Sequence, residues 1–377
     1  MNKIYIQIAS YRDSQLYPTI KDCFNNANMP ENLVFGICWQ KDDTEKLYEY
    51  EDSPQVKLIN VPFNESKGAC WARSKIQELY NGEEYTLQLD SHHRFVKGWD
   101  TILINMYQDL KRKGHKKPLI TAYLPSFNPE NDPKERIYQP CKLLFDKLIE
   151  YNIALLKSCY MSKEDMISPV PGYFFSGHFA FTTGQFCKEV LYDPELYFHG
   201  EEISISFRSY THGYDIFNPN CVIAWHEYTR KYRTKHWDDD KVWWEKDKSS
   251  KIHYTKLLTD KSIQDSIFGF GKTRTFEEYS KITGIDFSGK ILEAEKSYSF
   301  TLQIPPTENF KFIGIFVETE NSKEIFRHDI TEYKDTLNIS FKSVLQPYKW
   351  IYYPYYNDKG WSDKTEFVLT MPVIRYE

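Results

Sequence analysis

Strand-like and helix-like segments alternate through the first 120 residues, and no other feature restricts the fold as much. "KIYIQIAS" reads as a strand and "YPTIKDCFNNA" as a helix. "NLVFGICWQ" and "QVKLINVPF" are strands, "GACWARSKIQELYN" has helical spacing, and "YTLQLD" is a strand again. "WDTILINMYQDLKRK" is a helix with a basic last turn, followed by the strand "PLITAYLPSF". Strands joined through helices predict a mostly parallel α/β sheet covered on both faces. Such sheets bind ligands at the carboxyl ends of their strands. Ser10–Asp13, Gln40–Asp43 and Asp90–Arg94 fall at those ends.

The rest of the chain changes character twice. Between 125 and 190, "KLLFDKLIEYNIALLKS" is expected to be a helix, and "SPVPGYFFSGHFAFTTGQF" an extended segment with turns. Polar, aromatic and charged residues mix densely from 193 to 240. Beyond "TGIDFSGK" (283–290) only short alternating strands follow: "KSYSFTLQI", "FKFIGIFVET", "TLNISFKSV", "KWIYYPYYN" and "TEFVLTMPVI". They predict a small all-β, sandwich-like domain. The expected division is 1–287 for the α/β domain and 288–377 for the β domain.

A net charge of −5 carries no global signal for nucleic acid or membrane. The 29 Tyr and 9 Trp suit polar organic surfaces such as sugars or peptides, although a biased genome would enrich Tyr as well. Seven scattered cysteines without a C-x-x-C pair indicate neither a zinc ribbon nor a disulfide framework, which fits a reducing cytosol. "MNKIYIQIASYRD" is not a signal peptide, and no segment reaches the roughly 20 apolar residues of a membrane span. The expected location is cytoplasmic, or peripheral to the inner face of a membrane.

The stretch "LQLDSHHRFVKGWD" (87–100) ends a strand in an acid and two imidazoles. At a strand-end turn Asp90 and His92 can face the same side and converge on one cation. Such mixed oxygen and nitrogen ligands suit Mn²⁺, Mg²⁺ or Zn²⁺. His226 in "VIAWHEYTR" is the third candidate ligand, with His93 a neighbour. A second constellation lies in "FHGEEISISFRSYTHGYDIFNP" (198–219). Glu201 and Glu202 open a helix, where carboxylates are favoured. One acid is placed to orient an acceptor hydroxyl or a sugar, with Arg208, two turns on, holding the segment.

These pieces together resemble glycosyltransferase family 60, the cytoplasmic-type polypeptide N-acetylglucosaminyltransferases. The matching segments are "IASYRD" (8–13), "GACWARS" (68–74), "LQLDSHHRF" (87–95), "GEEISISFRSYTHGYDIFNP" (200–219), "WHEYTRKYR" (225–233) and "GFGKTRTFEEYSKITGIDF" (269–287). A more distant likeness is to the polypeptide N-acetylgalactosaminyltransferases, through "DSH", "GW", Glu201 and "ISFR", with Glu202 and Ser204 as departures.

The resemblance implies a GT-A, Rossmann-like nucleotide-sugar-binding domain. Asp90, His92 and His226 would hold Mn²⁺ or Mg²⁺ on the diphosphate. Tyr11, Arg12 and Asp13 would meet the uracil and ribose, and Arg73 the nucleotide or sugar. Glu201 and Glu202 would face donor and acceptor, and "GFGKTR", with Lys272 and Arg274, would form a lid over the diphosphate. The expected function is metal-dependent, retaining transfer of an N-acetylhexosamine, most readily GlcNAc, from a UDP-sugar to a hydroxyl of a polypeptide or surface glycan. The acid at 202 keeps an inverting enzyme open as an alternative, and a non-catalytic sugar-binding protein is the other. A metal hydrolase is disfavoured by the lack of an H-E-x-x-H or H-x-H…D set. No nucleic-acid partner is expected, and a homo-oligomer is compatible with the reading.

Overall fold

The computed structural model describes residues 2–229, 231, 233–287, 296–343 and 345–369. The chain divides into two compact units, one of Met1–Lys147 and Ile153–Phe287, the other of Leu148–Asn152 and Ser288–Glu377. In chain order the strands up to His226 are β1 Ile4–Tyr11, β2 Leu33–Lys41, β3 Val56–Pro62, β4 Tyr85–Leu89, β5 His93–Phe95 and β6 Pro118–Thr121. They continue as β7 Cys141–Leu148, β8 Ala154–Tyr160, β9 Val170–Gly172, β10 Phe179–Thr183, β11 Asp215–Asn218 and β12 Ala224–His226. Helices α1 Leu16–Asn26, α2 Ala69–Glu78, α3 Trp99–Arg112 and α4 Glu201–Thr211 carry the arguments below.

The main sheet runs in the order β3-β2-β1-β4-β10-β6-β11-β9. Period-two alternation in β1 sends Ile4, Ile6 and Ile8 to one face and Tyr5 to the other. The isoleucines pack with Leu16, Ile20 and Cys23 of α1 and with Trp99, Leu103 and Leu110 of α3. Tyr5 packs with Ala72 and Ile76 of α2. Both faces are therefore covered, as the strand–helix alternation requires. Asp100 in the first turn of α3 fastens the loop after α1, accepting from the amides of Asn28 and Met29 at 2.9 Å, and Lys111 and Arg112 in the last turn complement the helix dipole.

Six of the eight strands run the same way, as the alternation implies, while β10 enters between β4 and β6 antiparallel to both and β9 runs antiparallel to β11, so the sheet is mostly parallel with two reversed strands. One expectation is corrected. The segment expected as a helix over 142–158 is instead the two-strand ribbon β7–β8. Tyr151 (φ 62°) and Asn152 (φ 54°) take left-handed conformations between its strands, and these end any helix there. Cys141 and Leu143 are buried at a spacing of two, and the Leu143 amide donates to Asn218 at 3.1 Å.

From 296 on, the described residues of the second unit form only strands and turns. Its strands are β13 Lys296–Gln303, β14 Phe312–Glu318, β15 Glu324–Ile330, β16 Thr336–Ser343, β17 Lys349–Tyr356, β18 Gly360–Trp361 and β19 Thr365–Val368. β13 pairs with β16, and β14 lies between β15 and β17, all antiparallel. Side chains from both sheets, such as Phe300, Ile315, Ile339 and Trp350, share one apolar core. Strand β15 escaped the sequence reading because "EIFRHDI" is polar and half exposed. Among the described residues no helix is long and apolar enough to cross a membrane.

Candidate active site

Parallel pairing of β2, β1 and β4 lines up their carboxyl ends. Tyr11 lies in register with Gln40, and Ile8 with Leu89. The residues that follow these strands therefore meet. The Arg12 amide donates to the Gln40 carbonyl at 3.0 Å, and Asp13 reaches His92.

Asp90 follows the last residue of β4 and is the hub of the site. Its Oδ1 accepts from Arg73 Nη2 at 2.9 Å, while Oδ2 lies 3.5 Å from His92 Nε2 and 3.3 Å from His226 Nε2. His226 comes from 136 residues away. It arrives because β12 pairs antiparallel with β5, placing His226 opposite His93. One ligand atom each from Asp90, His92 and His226 lies within 4.8 Å of the others. Burial would raise the Asp90 carboxyl, but hydrogen bonds from His226 and His92 and the Arg73 charge hold it well below the usual carboxylate range.

The surroundings of this trio fit a divalent ion. His92 Nδ1 lies 2.7 Å from Asp13 Oδ2, which also accepts from Ser91 Oγ at 2.6 Å. Asp13 accepts from Nδ1, the usual backing of a metal-ligating histidine. Burial would lower His92, but Asp13 and Asp90 together outweigh it and raise the ring above the ordinary histidine value, so a divalent ion would take the place of the Nε2 proton. His92 Nε2 and His226 Nδ1 are buried without a hydrogen-bond partner, and one carboxylate with two imidazoles suits a borderline divalent cation. Burial pushes His226 well below the ordinary histidine value, so it is a neutral donor.

Arg73 on α2 links this trio to the acids of α4. Its Nη1 bonds Glu201 Oε1 at 2.9 Å while Nη2 holds Asp90. Gly200 takes φ 93° at the head of α4, a conformation that favours glycine, and the turn directs Glu201 and Glu202 towards Arg73 and Gly177. A Cβ on Gly177 would press on Glu201 Oε1 and lie 3.0 Å from Arg73 Nη1 and 3.4 Å from Glu202 Oε1, so a side chain there would displace the acids and the guanidinium. The Gly177 amide donates to Glu202 Oε1 at 2.8 Å and Tyr123 donates to Oε2. Burial, followed by the neighbouring Glu201 charge, pushes the Glu202 carboxyl up to about 7.

The other sequence candidates fall in different places. Asp13 sits behind His92 and lines the cleft floor; it was expected at the nucleoside. Tyr11 lines the same cleft, and Tyr11 and Arg12 both donate to Asp239 Oδ2, at 2.8 and 2.9 Å. Arg208 is fully buried and donates from Nε to the Gly269 carbonyl at 3.1 Å, which holds α4 to the 269–274 loop.

Lys272 and Arg274 are not brought to the trio. The amides of Thr273 and Arg274 donate to the Thr211 carbonyl at the far end of α4, and the Arg274 side chain pairs with Asp215 at 2.5 Å. An 11-residue helix, roughly 16 Å long, separates them from Glu201. The loop is anchored at that end of α4, away from the trio.

The structure adds residues that the sequence reading missed. Tyr197, Arg233, Lys235, His236 and Trp237 line the cleft with Asp90 and His92. Arg233 is tied to the buried Glu227 at 2.6 Å. His178 stacks on His226 at 4.1 Å. In sequence, "SGHF" carries no spacing that sets His178 apart, and the cations of 233–235 are lost in a segment dense with charge.

Known proteins were then compared with the chain. The family described as Glycosyltransferase (GlcNAc) matches residues 3–52 and 48–289. No curated protein matches the chain in sequence. Among solved structures, GalNAc-T7 with UDP, GalNAc and Mn²⁺ is similar at 14% identity and a TM-score of 0.48, covering 77% of this chain and 56% of that one. TarS of S. aureus in complex with UDP-GlcNAc is similar at 12% identity and a TM-score of 0.44, covering 74% and 70%. A longer S. aureus TarS structure gives 9% identity and a TM-score of 0.41, covering 97% and 77%. The family match spans well over half of the sequence and contains Asp90, His92, Glu201, Glu202 and His226, so the chain belongs to the GlcNAc glycosyltransferase family.

Proposed function

We propose that this chain transfers an N-acetylhexosamine, GlcNAc foremost, from a UDP-sugar to an acceptor hydroxyl, with retention at the anomeric carbon. The observation that carries the reading is the convergence of Asp90, His92 and His226 next to the Arg73–Glu201 pair, at the carboxyl ends of β1 and β4. In this reading those three residues hold Mn²⁺ or Mg²⁺. When bound, the ion neutralises charge on the departing diphosphate, an effect worth several kcal/mol of barrier.

The protein's own groups do the rest. Asp13 keeps the His92 ring oriented. Arg73, clamped between Asp90 and Glu201, adds fixed positive charge where charge develops on the leaving group. Glu201 orients the donor sugar and Glu202 faces the acceptor. Tyr11 and Arg12 meet the nucleoside. Arg208 positions α4 from behind. In the transfer the acceptor oxygen bonds to C1 of the sugar as the bond from C1 to the diphosphate oxygen breaks. That oxygen takes the bond's electron pair and then the acceptor's proton, so no strong protein base is required.

The test is release of UDP from UDP-GlcNAc in the presence of Mn²⁺, with UDP-GalNAc and UDP-glucose as competitors. No UDP release, and no Mn²⁺-dependent stabilisation by any UDP-sugar, would leave the reading without support.

A further inference from the structure

A second row of side chains runs beside the Asp90 trio. Tyr123, His178 and His226 stack in succession, with centroids 5.2 Å apart at 24° and then 4.1 Å apart at 23°. Tyr123 also donates its hydroxyl to Glu202, so the stack ties the second acid of α4 to a candidate cation ligand. Tyr228 completes the row, its ring 4.3 Å from His226 and edge-on to His178 at 5.7 Å. The Tyr228 hydroxyl donates inward to the Leu124 carbonyl at 2.7 Å, which pins the ring, yet the residue is 42% exposed. A rigid aromatic ring with open area thus stands directly against His226, and an anchored carboxyl stands at the other end of the row.

We propose that Tyr228 and the Tyr123–Glu202 pair form the acceptor subsite, and that this subsite takes a pyranose ring carrying the attacking hydroxyl. The inference rests on the transfer reading above and names its acceptor class. A pyranose has an apolar face of C–H groups that lies against an aromatic ring, and equatorial hydroxyls that donate to a carboxylate. The row carries both kinds of group. A peptide is recognised chiefly through backbone hydrogen bonds or side-chain pockets, which ring faces and one carboxyl do not supply. The bond changes are those of the transfer itself; Tyr123 and Tyr228 are positioning residues that place the oxygen and remove no proton.

The experiment uses the full chain with UDP-GlcNAc and Mn²⁺. Two rates are followed, UDP release without acceptor and transfer to methyl glycosides of glucose, galactose, GlcNAc and GalNAc, with serine- and threonine-containing peptides in parallel. The expected result is transfer to at least one methyl glycoside. Tyr228→Ala should raise the KM for that glycoside about tenfold, and Tyr123→Phe should lower the ratio of transfer to hydrolysis about tenfold. Tyr228→Phe, which keeps the ring, should retain more acceptor affinity than Tyr228→Ala. Transfer to peptides but not to glycosides would overturn the proposal. So would an equal fall of hydrolysis and transfer in the variants, or hydrolysis with no glycoside accepted. Absence of UDP release in the unaltered protein would instead overturn the transfer reading on which the proposal stands.

Discussion

Asp13 and His92 share a hydrogen bond of 2.7 Å between Oδ2 and Nδ1, and both residues are buried. The bond fixes the orientation of the imidazole. Asp13→Asn should therefore lower Mn²⁺ affinity 10- to 100-fold, the usual effect of removing a carboxylate behind a ligating histidine. Calorimetric titration of Mn²⁺ into the ligand-free protein measures it. Unchanged affinity would remove Asp13 from the metal argument.

Chelation should abolish UDP release, and Mn²⁺ should restore it. His226→Ala should keep the fold, since the ring sits at the end of a short ribbon, and lose the Mn²⁺-dependent rise in melting temperature. At a ligand concentration 100 times its dissociation constant that rise corresponds to about 2.7 kcal/mol. Full activity in EDTA would sink the metal role.

The two acids of α4 should separate by reaction. Glu201→Gln breaks the bridge through Arg73 and should slow both hydrolysis and transfer by roughly 10²-fold, about 3 kcal/mol. Glu202→Gln should slow transfer more than hydrolysis, with an α-linked product from an α-linked donor. The anomeric proton coupling in the product NMR spectrum decides the outcome. A β-linked product, with transfer abolished in Glu202→Gln, would identify Glu202 as the base of an inverting enzyme.

Glu202 also predicts a pH dependence of stability in the metal-free protein. Burial and the adjacent Glu201 raise its carboxyl to about 7 from the ordinary 4.5. A raised carboxyl favours the folded state fully below its unfolded value, and that contribution is lost as pH rises through the folded value. Between about pH 4.5 and 7 this group should erode stability by up to about 3 kcal/mol. Glu202→Gln should flatten that part of the profile, and denaturant midpoints at pH 5 and pH 8 would reveal it. An identical slope in the variant would contradict the placement of this charge.

Ending the chain near Phe287 should leave UDP-sugar hydrolysis nearly intact, because every candidate site residue precedes that point. The aromatic segment 348–361 would then serve an acceptor or partner. A soluble, folded truncation that no longer binds UDP would show that the β unit belongs to the donor site.

Much of this was legible in one dimension because local periodicity survives folding. The alternation of "KIYIQIAS" and "YPTIKDCFNNA" specifies a strand and a helix that must cover one another, and short alternating strands after 290 specify a β unit. A polar Asp90-Ser91-His92 ending an apolar run marks a strand end, and in a parallel sheet that is a ligand edge. What only the tertiary structure decided depends on contacts between distant residues. β10 had to slot antiparallel between β4 and β6, which no local pattern encodes. Leucines at 143 and 144 suit a helix or a strand, and the left-handed Tyr151 and Asn152 settled the matter. The β5–β12 register carried His226 across 136 residues to Asp90, and α4 pointed its acids at Arg73 while its far end held Arg274 away. Spacing in sequence sets which face a side chain occupies, but only packed elements set which side chains share a few ångströms of space.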